Sequence, residues 1–287
     1  MQGPGEACDD NNLIDGDGCD SNCNPTGCIN GVLPADELCT WILGLLGQSP
    51  GRDPERDLLA AGLRLEESGS ALVVMLDDAG YSNASSYGGV MRTPTFDRIG
   101  DEGIRYTHMS VAAVCSPTRG SILTGYNIHE IGTGIISEFA TGYPGYNSQM
   151  DYSTPSVARI LTDNGYATAA FGKWHNTPME EASPAGPFEN WPTGIWGFEY
   201  FWGFMGGETN QFHPLLYENT TPIETPKSNA DGSTFHLSHG MADQAIKWLD
   251  NWKGLRDDPF FMYYTPGAVH APIQVPKEWR DKYKGQF

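Results

Sequence analysis

The chain has 287 residues, which is enough for one sizeable domain and a small appendage. It carries 36 acidic residues against 17 Lys and Arg, so its formal net charge is -19 at pH 7. That charge argues against nucleic acid or an acidic membrane as a partner, and an anionic ligand would need a cleft with positive charge of its own. The longest apolar run, residues 41–46, is far shorter than the roughly 20 residues that span a bilayer, so no membrane span is expected.

The N-terminal segment is rich in cysteine, aspartate and glycine. We interpret residues 1–39 as a small acidic, disulfide-rich appendage and residues 40–69 as a linker with one helix. Disulfides predict a secreted, periplasmic or lumenal location, although residues 1–10 have no signal-peptide pattern. Zinc binding is the alternative, weakened because paired C-x-x-C spacings are absent. The N-terminal segment holds an odd number of cysteines, so one of them could pair with Cys115 or with a partner outside this chain. Five of the six cysteines lie in this segment: Cys8, Cys19, Cys23, Cys28 and Cys39.

Residues 71–76 form an unbroken apolar run rich in β-branched residues. Such a run predicts a strand that is buried on both faces, as in a parallel sheet. Asp77 and Asp78 follow it, and Gly80 permits a turn that lets both carboxylates converge. Ligand sites of open α/β sheets lie beyond the carboxyl ends of strands, where two adjacent carboxylates favour a divalent cation. Asp77 and Asp78 are therefore candidate metal ligands, and a capping turn is the alternative.

Two helices and a strand are predicted between residues 93 and 124. Thr93 and Gly103 are residue types that start and end a short helix, and residues 104–109 alternate loosely as a strand. A second helix begins near Cys115, because Pro117 suits its first turn and an apolar run follows. The order strand, helix, strand, helix is typical of a parallel α/β layer.

Cys115 lies at or just before the N-terminus of this second helix, facing unpaired amides and the positive end of the dipole. Arg119 follows one turn later on the same face and adds a fixed positive charge. A thiol in this position tends to ionise, and the position also favours a bound anion. Chemistry on an anionic group is therefore expected. The alternative is an ordinary helix start with a structural cysteine.

Residues 126–152 are interpreted as a surface excursion near this site, because they are rich in Gly, Tyr, Asn and Ile. A helix at 154–164 and a strand at 166–171 follow and lead to Lys173 and His175. In an extended chain these two side chains point to the same side, where they would form a positive, proton-donating pair.

The remaining sequence predicts packing elements and one more strand. An aromatic stretch at 196–204 is interpreted as packing rather than as a lip that binds a ring. An amphipathic helix is predicted at 239–252, and a buried strand is predicted at 259–264.

Four segments, taken in order, resemble the motifs of the type I sulfatases, within the alkaline phosphatase superfamily. The resemblance extends from about residue 71 to residue 287. It implies an α/β fold with a mostly parallel sheet sandwiched by helices, in which residues 70–287 are the N-terminal portion of a sulfatase catalytic domain. The four segments are the acidic pair at 77–78, C-x-P-x-R at 115–119, GKWH at 172–175 and PFF…H-x-P at 259–272.

The resemblance also implies that the chain carries residues for hydrolysing sulfuric esters of small molecules or carbohydrates. Cys115 would be converted to formylglycine by a formylglycine-generating enzyme, and the hydrate would be the nucleophile. One Ca²⁺ ion, or Mg²⁺ as the alternative, would bind Asp77, Asp78 and the modified Cys115. The other catalytic residues would be Arg119, Lys173, His175 and His270.

Sulfatases continue beyond these four motifs and add further metal ligands, another active-site lysine and a small C-terminal domain. The resemblance therefore implies an incomplete catalytic domain with weak or no activity alone. Two other interpretations stay open. One is a phosphonate or phosphodiester hydrolase of the same superfamily. The other is a non-catalytic secreted cysteine-rich protein, in which Cys115 is unmodified or disulfide-bonded.

Overall fold

The computed structural model describes residues 69–255 and 258–286. The predicted module at 1–39, and all of the predicted linker except residue 69, lie outside the described residues. The strands are β1 (Ala71–Val74), β2 (Ala167–Lys173), β3 (Tyr200–Phe204), β4 (Leu216–Glu218), β5 (Thr221–Ile223) and β6 (Phe260–Thr265). The α-helices are α1 (Pro94–Glu102), α2 (Cys115–Thr124), α3 (Val157–Asp163), α4 (Leu237–Leu255) and α5 (Lys277–Asp281).

The six strands form one sheet in the order β1-β6-β2-β3-β4-β5. β1, β6, β2 and β3 are parallel, and β4 and β5 extend the sheet as an antiparallel hairpin. β2 is buried over its whole length between β6 and β3. Parallel neighbours need crossover connections, which the predicted alternation of strands and helices supplies. The predicted mostly parallel α/β fold is confirmed.

Helices cover both faces of the sheet and bury a separate apolar cluster on each. Leu123 of α2 and Leu161 of α3 pack in one cluster, and Met241 of α4 packs in the other. Consecutive residues of β2 point to opposite faces, so Ala170 joins the first cluster and Phe171 the second. Among the described helices, none is long and apolar enough to cross a membrane.

The structure confirms the interpretation of one predicted segment and contradicts that of another. All aromatic residues of the stretch 196–204 except the half-buried Tyr200 are buried, so the interpretation as packing is confirmed. The predicted strand at 104–109 is wrong, because the structure has no strand there and most of these residues are exposed. Loose alternation of polar and apolar residues does not make a strand when no neighbouring strand pairs with it.

β1 is an edge strand of the sheet that the described residues form, which corrects the prediction that it is buried on both faces. Among the described residues it pairs only with β6. Leu72 is 54 % exposed and Val74 is 46 % exposed, whereas Ala71 and Val73 pack against the first apolar cluster. An apolar run alone does not distinguish a central strand from an edge strand, because that difference depends on which strands lie beside it.

Gly172 illustrates how tightly the end of β2 is packed. Its φ is 102°, and a Cβ there would lie 2.2 Å from the carbonyl oxygen of Thr265. We predict that Gly172→Ala lowers the free energy of unfolding by at least about 2 kcal/mol, since backbone strain and overlap add. Gly142→Ala is the control, because no described atom lies within 4 Å of its Cβ position. Urea denaturation measures both variants, and equal losses would contradict the prediction.

Candidate active site

The ends of β1, β2 and β6 meet the N-terminus of α2 at one edge of the sheet. Asp77 follows β1, Lys173 is the last residue of β2, and Cys115 is the first residue of α2. Backbone hydrogen bonds join Asp77 N to Ala268 O (2.9 Å) and Val269 N to Asp77 O (2.7 Å). The end of β1 is thereby tied to the segment that follows β6. This is the edge at which open parallel sheets bind their ligands.

Asp77, Arg119 and Lys173 form a buried ion cluster. Lys173 Nζ lies 2.6 Å from Asp77 Oδ2, and Arg119 Nη2 lies 3.4 Å from Asp77 Oδ1. Arg119 Nη1 also donates a hydrogen bond to the backbone carbonyl of Lys173 (2.8 Å). All three side chains are at most 3 % exposed. Two cations therefore share one carboxylate, and the excess positive charge in this dry environment favours an anion.

Two buried polar atoms in and beside this cluster make no hydrogen bond of good geometry within the described part of the chain, although the Arg119 guanidinium and the Tyr263 hydroxyl are close enough to interact. They are Arg119 Nε and the hydroxyl of Tyr263. Burial raises the pKa of Tyr263 to about 12, so its hydroxyl is neutral at physiological pH. Unpaired buried donors are uncommon in native proteins. The unpaired guanidinium donor adds to the preference for an anion created by the excess charge.

Cys115, His175 and Glu138 form a hydrogen-bonded chain near the ion cluster. Cys115 Sγ lies 3.1 Å from His175 Nδ1, and His175 Nε2 lies 2.8 Å from Glu138 Oε2. Burial alone would raise the pKa of Cys115, but the bond to His175 and the charges of His175 and Lys173 lower it to about 7. The bond to His175 is the main reason why the pKa of Glu138 is lowered to about 2. Burial opposes the charged form of His175, but its bonds to Cys115 and Glu138 raise its pKa.

A sharp turn after β2 brings Lys173 and His175 to the same site. His175 has a φ of 61°, so the predicted extended geometry is wrong beyond Lys173, although both side chains still face the site. Trp174, between them, is buried in the first apolar cluster. Asn176 connects the turn to α2: with its side-chain amide turned so that both its oxygen and its nitrogen find partners, the oxygen accepts a hydrogen bond from Gly120 N (3.0 Å).

Asp78 and His270 lie together at the more exposed rim of the site. The side chain of Asp78 is 65 % exposed, and its φ of 58° directs it away from the path of β1. His270 Nε2 lies 3.9 Å from Asp78 Oδ2, and His270 Nδ1 lies 2.7 Å from the carbonyl oxygen of Ala271. No hydrogen bond among the described residues joins this pair to Cys115. The adjacent carboxylates of Asp77 and Asp78 thus have different partners.

The carboxylates present here do not fit a bound Ca²⁺ ion. No group of three or more His, Cys, Asp or Glu side chains in residues 69–255 and 258–286 could hold a metal ion. Both oxygens of Asp77 face the cations Lys173 and Arg119, and Asp78 faces His270. Ca²⁺ takes about 6–8 oxygen ligands, so two carboxylates with separate partners are too few. The predicted metal-binding role of Asp77, Asp78 and Cys115 stays a prediction.

Glu138 is the site residue that sequence reasoning does not identify. It lies in the 3-10 turn Ser137–Phe139, inside the segment 126–152, for which the sequence indicates only a surface excursion near the site. Its spacing from Cys115 and His175 follows no motif that we recognise. Only the folded segment shows that this carboxylate, one of 36 acidic groups in the chain, reaches His175.

Comparison with known proteins agrees with this architecture. A family model described as Sulfatase matches residues 70–287. An uncharacterised sulfatase of Schizosaccharomyces pombe is 32 % identical over 225 residues, covering 75 % of this chain and 40 % of that protein. An arylsulfatase of Klebsiella aerogenes is 28 % identical over 240 residues, covering 80 % of this chain and 49 % of that protein. The structure of BT4656 in complex with its substrate D-glucosamine-2-N,6-O-disulfate shares the fold, with a TM-score of 0.54 at 24 % identity, covering 75 % of this chain and 37 % of that one.

The chain spans less than half the length of these two curated relatives. The family model nevertheless covers the whole described sheet and every side chain of the site. The sheet order, the helices on both faces and the position of the site at the ends of the parallel strands accord with that match. This chain belongs to the sulfatase family.

Proposed function

We propose that this chain carries the nucleophile and the anion-binding part of a site that hydrolyses sulfuric esters. The observation that carries the proposal is the placement of Cys115 near a buried cluster in which Lys173 and Arg119 share the carboxylate of Asp77. The N-terminus of α2 adds partial positive charge at the same place. These groups would attract the negatively charged sulfate of an ester locally, although the net charge of the chain is -19.

Cys115 is the side chain proposed to be converted to formylglycine by a formylglycine-generating enzyme. It is partly exposed at the start of α2, and its Sγ marks the reactive position, 3.1 Å from His175 Nδ1. The hydrated aldehyde, when present, supplies a hydroxyl nucleophile for the ester sulfur. The second hydroxyl of the hydrate would give its proton to His175 Nδ1, so that sulfate leaves position 115 and the aldehyde is regenerated. Arg119 and Lys173 bind the sulfate oxygens and stabilise the negative charge that develops on them.

The departing oxygen of the ester needs a proton donor or a positive charge nearby. Lys173 can act from the ion cluster, and His270 can act from the rim. His270 is 26 % exposed, and a rim position suits a group that faces the alcohol, because the alcohol must leave toward solvent. We therefore propose that these two residues assist the leaving group.

Calcium is proposed only for a site that is completed by ligands outside the described residues. We predict that calorimetric titration of this chain with Ca²⁺ gives a Kd no tighter than about 10⁻⁴ M, the weak end of protein calcium sites. The reason is that Asp77 is engaged by two cations and Asp78 faces His270. Parallel titration with Mg²⁺ is the control for nonspecific binding to acidic side chains. Tight, calcium-selective binding would contradict the prediction.

The proposed substrate class is a sulfate ester of a small molecule or a carbohydrate. BT4656, which shares the fold, has a sulfated sugar as its substrate. We also propose that residues 1–39 form a disulfide-bonded module and that residues 70–287 are the N-terminal portion of the catalytic domain. Clustered cysteines of this kind favour an oxidising location, which is secreted, periplasmic or lumenal.

Peptide mass spectrometry around residue 115, combined with hydrolysis assays, tests the proposal. We expect an aldehyde mass in place of the thiol. We also expect faster hydrolysis of 4-nitrophenyl sulfate than of the matching phosphate or phosphonate esters. Faster hydrolysis of the phosphorus esters would favour a phosphonate or phosphodiester hydrolase instead. A disulfide at Cys115 would overturn the proposal and favour a non-catalytic secreted protein.

A further inference from the structure

We infer that Glu138 is a positioning residue that holds the His175 ring and fixes which ring nitrogen faces position 115 as the proton acceptor. This inference rests on the proposed function. It assigns a role to a residue that lies outside the four recognised motifs. No hydrogen bond among the described residues joins Glu138 to Cys115, and Glu138 acts through the imidazole that bonds to both.

The two hydrogen bonds of His175 determine the roles of its nitrogens. Glu138 Oε2 lies 2.8 Å from Nε2, and an ionised carboxylate can only accept a hydrogen bond. Nε2 must therefore carry a proton. Nδ1, 3.1 Å from the Sγ atom of Cys115, is then the nitrogen that gives or takes a proton at position 115. A carboxylate that orients a histidine in this way also stabilises the imidazolium that forms when the histidine accepts a proton.

Glu138 lies in a segment whose backbone is hydrogen-bonded on both sides of the 3-10 turn. Backbone hydrogen bonds join Gly134 N to Gly145 O and Thr141 N to Tyr146 O, both at 2.8 Å. The hydroxyl of Ser137 also donates to Glu138 Oε2 (3.3 Å). The carboxylate is thus presented to His175 by a segment whose two arms are paired with each other.

Burial distinguishes this pair from an ordinary surface ion pair. The side chain of Glu138 is 32 % exposed, but that of His175 is only 3 % exposed. Exposed ion pairs contribute little because solvent screens them and their side chains are free to move. Here the ring is enclosed, its backbone has a φ of 61°, and its second nitrogen faces Cys115. The bond to Glu138 therefore has a specific orienting effect on the ring.

NMR of the full chain labelled with ¹⁵N-histidine tests the inference without any need for turnover. The measurement uses the Cys115→Ser background at mildly alkaline pH, because a hydroxyl can donate or accept and does not itself select the tautomer. We expect the His175 Nε2 resonance to lie in the protonated range and Nδ1 in the unprotonated range. Glu138→Ala should shift Nε2 toward the unprotonated range. Glu138→Gln, which keeps an acceptor oxygen, should restore most of the original pattern.

Glu130→Ala is the matched control, because Glu130 lies in the same segment and its carboxylate accepts a local hydrogen bond from Asn127 N (3.1 Å). We expect it to leave the His175 resonances unchanged. An unchanged His175 pattern in Glu138→Ala, or an equal change in Glu130→Ala, would overturn the inference. Failure of the proposed function would instead appear as a disulfide at Cys115 of the parent chain with the His175 pattern intact, so the two failures are distinguishable.

Discussion

Asp77→Ala is expected to lower the free energy of unfolding by about 3–5 kcal/mol, because it leaves two buried cations without the carboxylate that both contact. Lys173 Nζ and Arg119 Nη2 lie 2.6 Å and 3.4 Å from the two oxygens of Asp77, and all three side chains are nearly inaccessible to water. Urea denaturation followed by circular dichroism measures the change. Asp77→Asn should have a smaller effect, because the amide keeps one oxygen acceptor for these donors.

Asp78→Ala provides a matched control for this experiment. Asp78 is the neighbouring carboxylate in the chain, but its side chain is 65 % exposed and the imidazole nitrogen Nε2 of His270 lies 3.9 Å from it. Exposed pairs of this kind contribute about 0–1 kcal/mol, so the expected loss is correspondingly small. Similar losses for the two variants would show that the Asp77 cluster does not stabilise the fold.

Cys115→Ala is expected to reduce hydrolysis of 4-nitrophenyl sulfate by at least about 10³-fold, because it removes the group from which the proposed nucleophile is made. Stability should change by only about 1 kcal/mol, since the residue is partly exposed and loses one side-chain hydrogen bond, to His175. Initial rates and urea denaturation, measured on the same preparations, separate the catalytic effect from the structural one.

Val114→Ala is the control for disturbance of the helix start. Val114 is the N-cap of α2 and is 40 % exposed, and neither valine nor alanine is a good cap. Its hydrolysis rate should therefore stay close to that of the parent chain. If Cys115→Ala kept a comparable rate, Cys115 could not be the source of the nucleophile.

The sequence is informative about the site wherever local chemistry marks the end of an element. Pro117 and the apolar run after it predict the helix that begins at Cys115, and the apolar run at 71–76 predicts a strand before Asp77. The predicted strand at 166–171 likewise places Lys173 close to a strand end, and Lys173 is the last residue of β2. These features depend on residues close together in the chain, so periodicity and turn chemistry are sufficient to predict them.

The role of Glu138 could not be predicted from residues close to it in the chain. It reaches His175 only because the arms of its segment pair with each other and the turn after β2 gives His175 a φ of 61°. The separation of Asp77 from Asp78 is a similar case, since both look alike in sequence and only the positions of Lys173 and Arg119 distinguish them.

By itself, the sequence determined the α/β class, the order of the main elements and the motif residues at their ends. Only the tertiary structure decided that β1 lies at the edge of the described sheet, that Asp77 is held by two cations and that Glu138 reaches His175. The physical reason is the range of the interactions involved. Periodicity and capping act over a few residues, whereas strand order, burial and ion pairing depend on segments that meet only when the chain has folded.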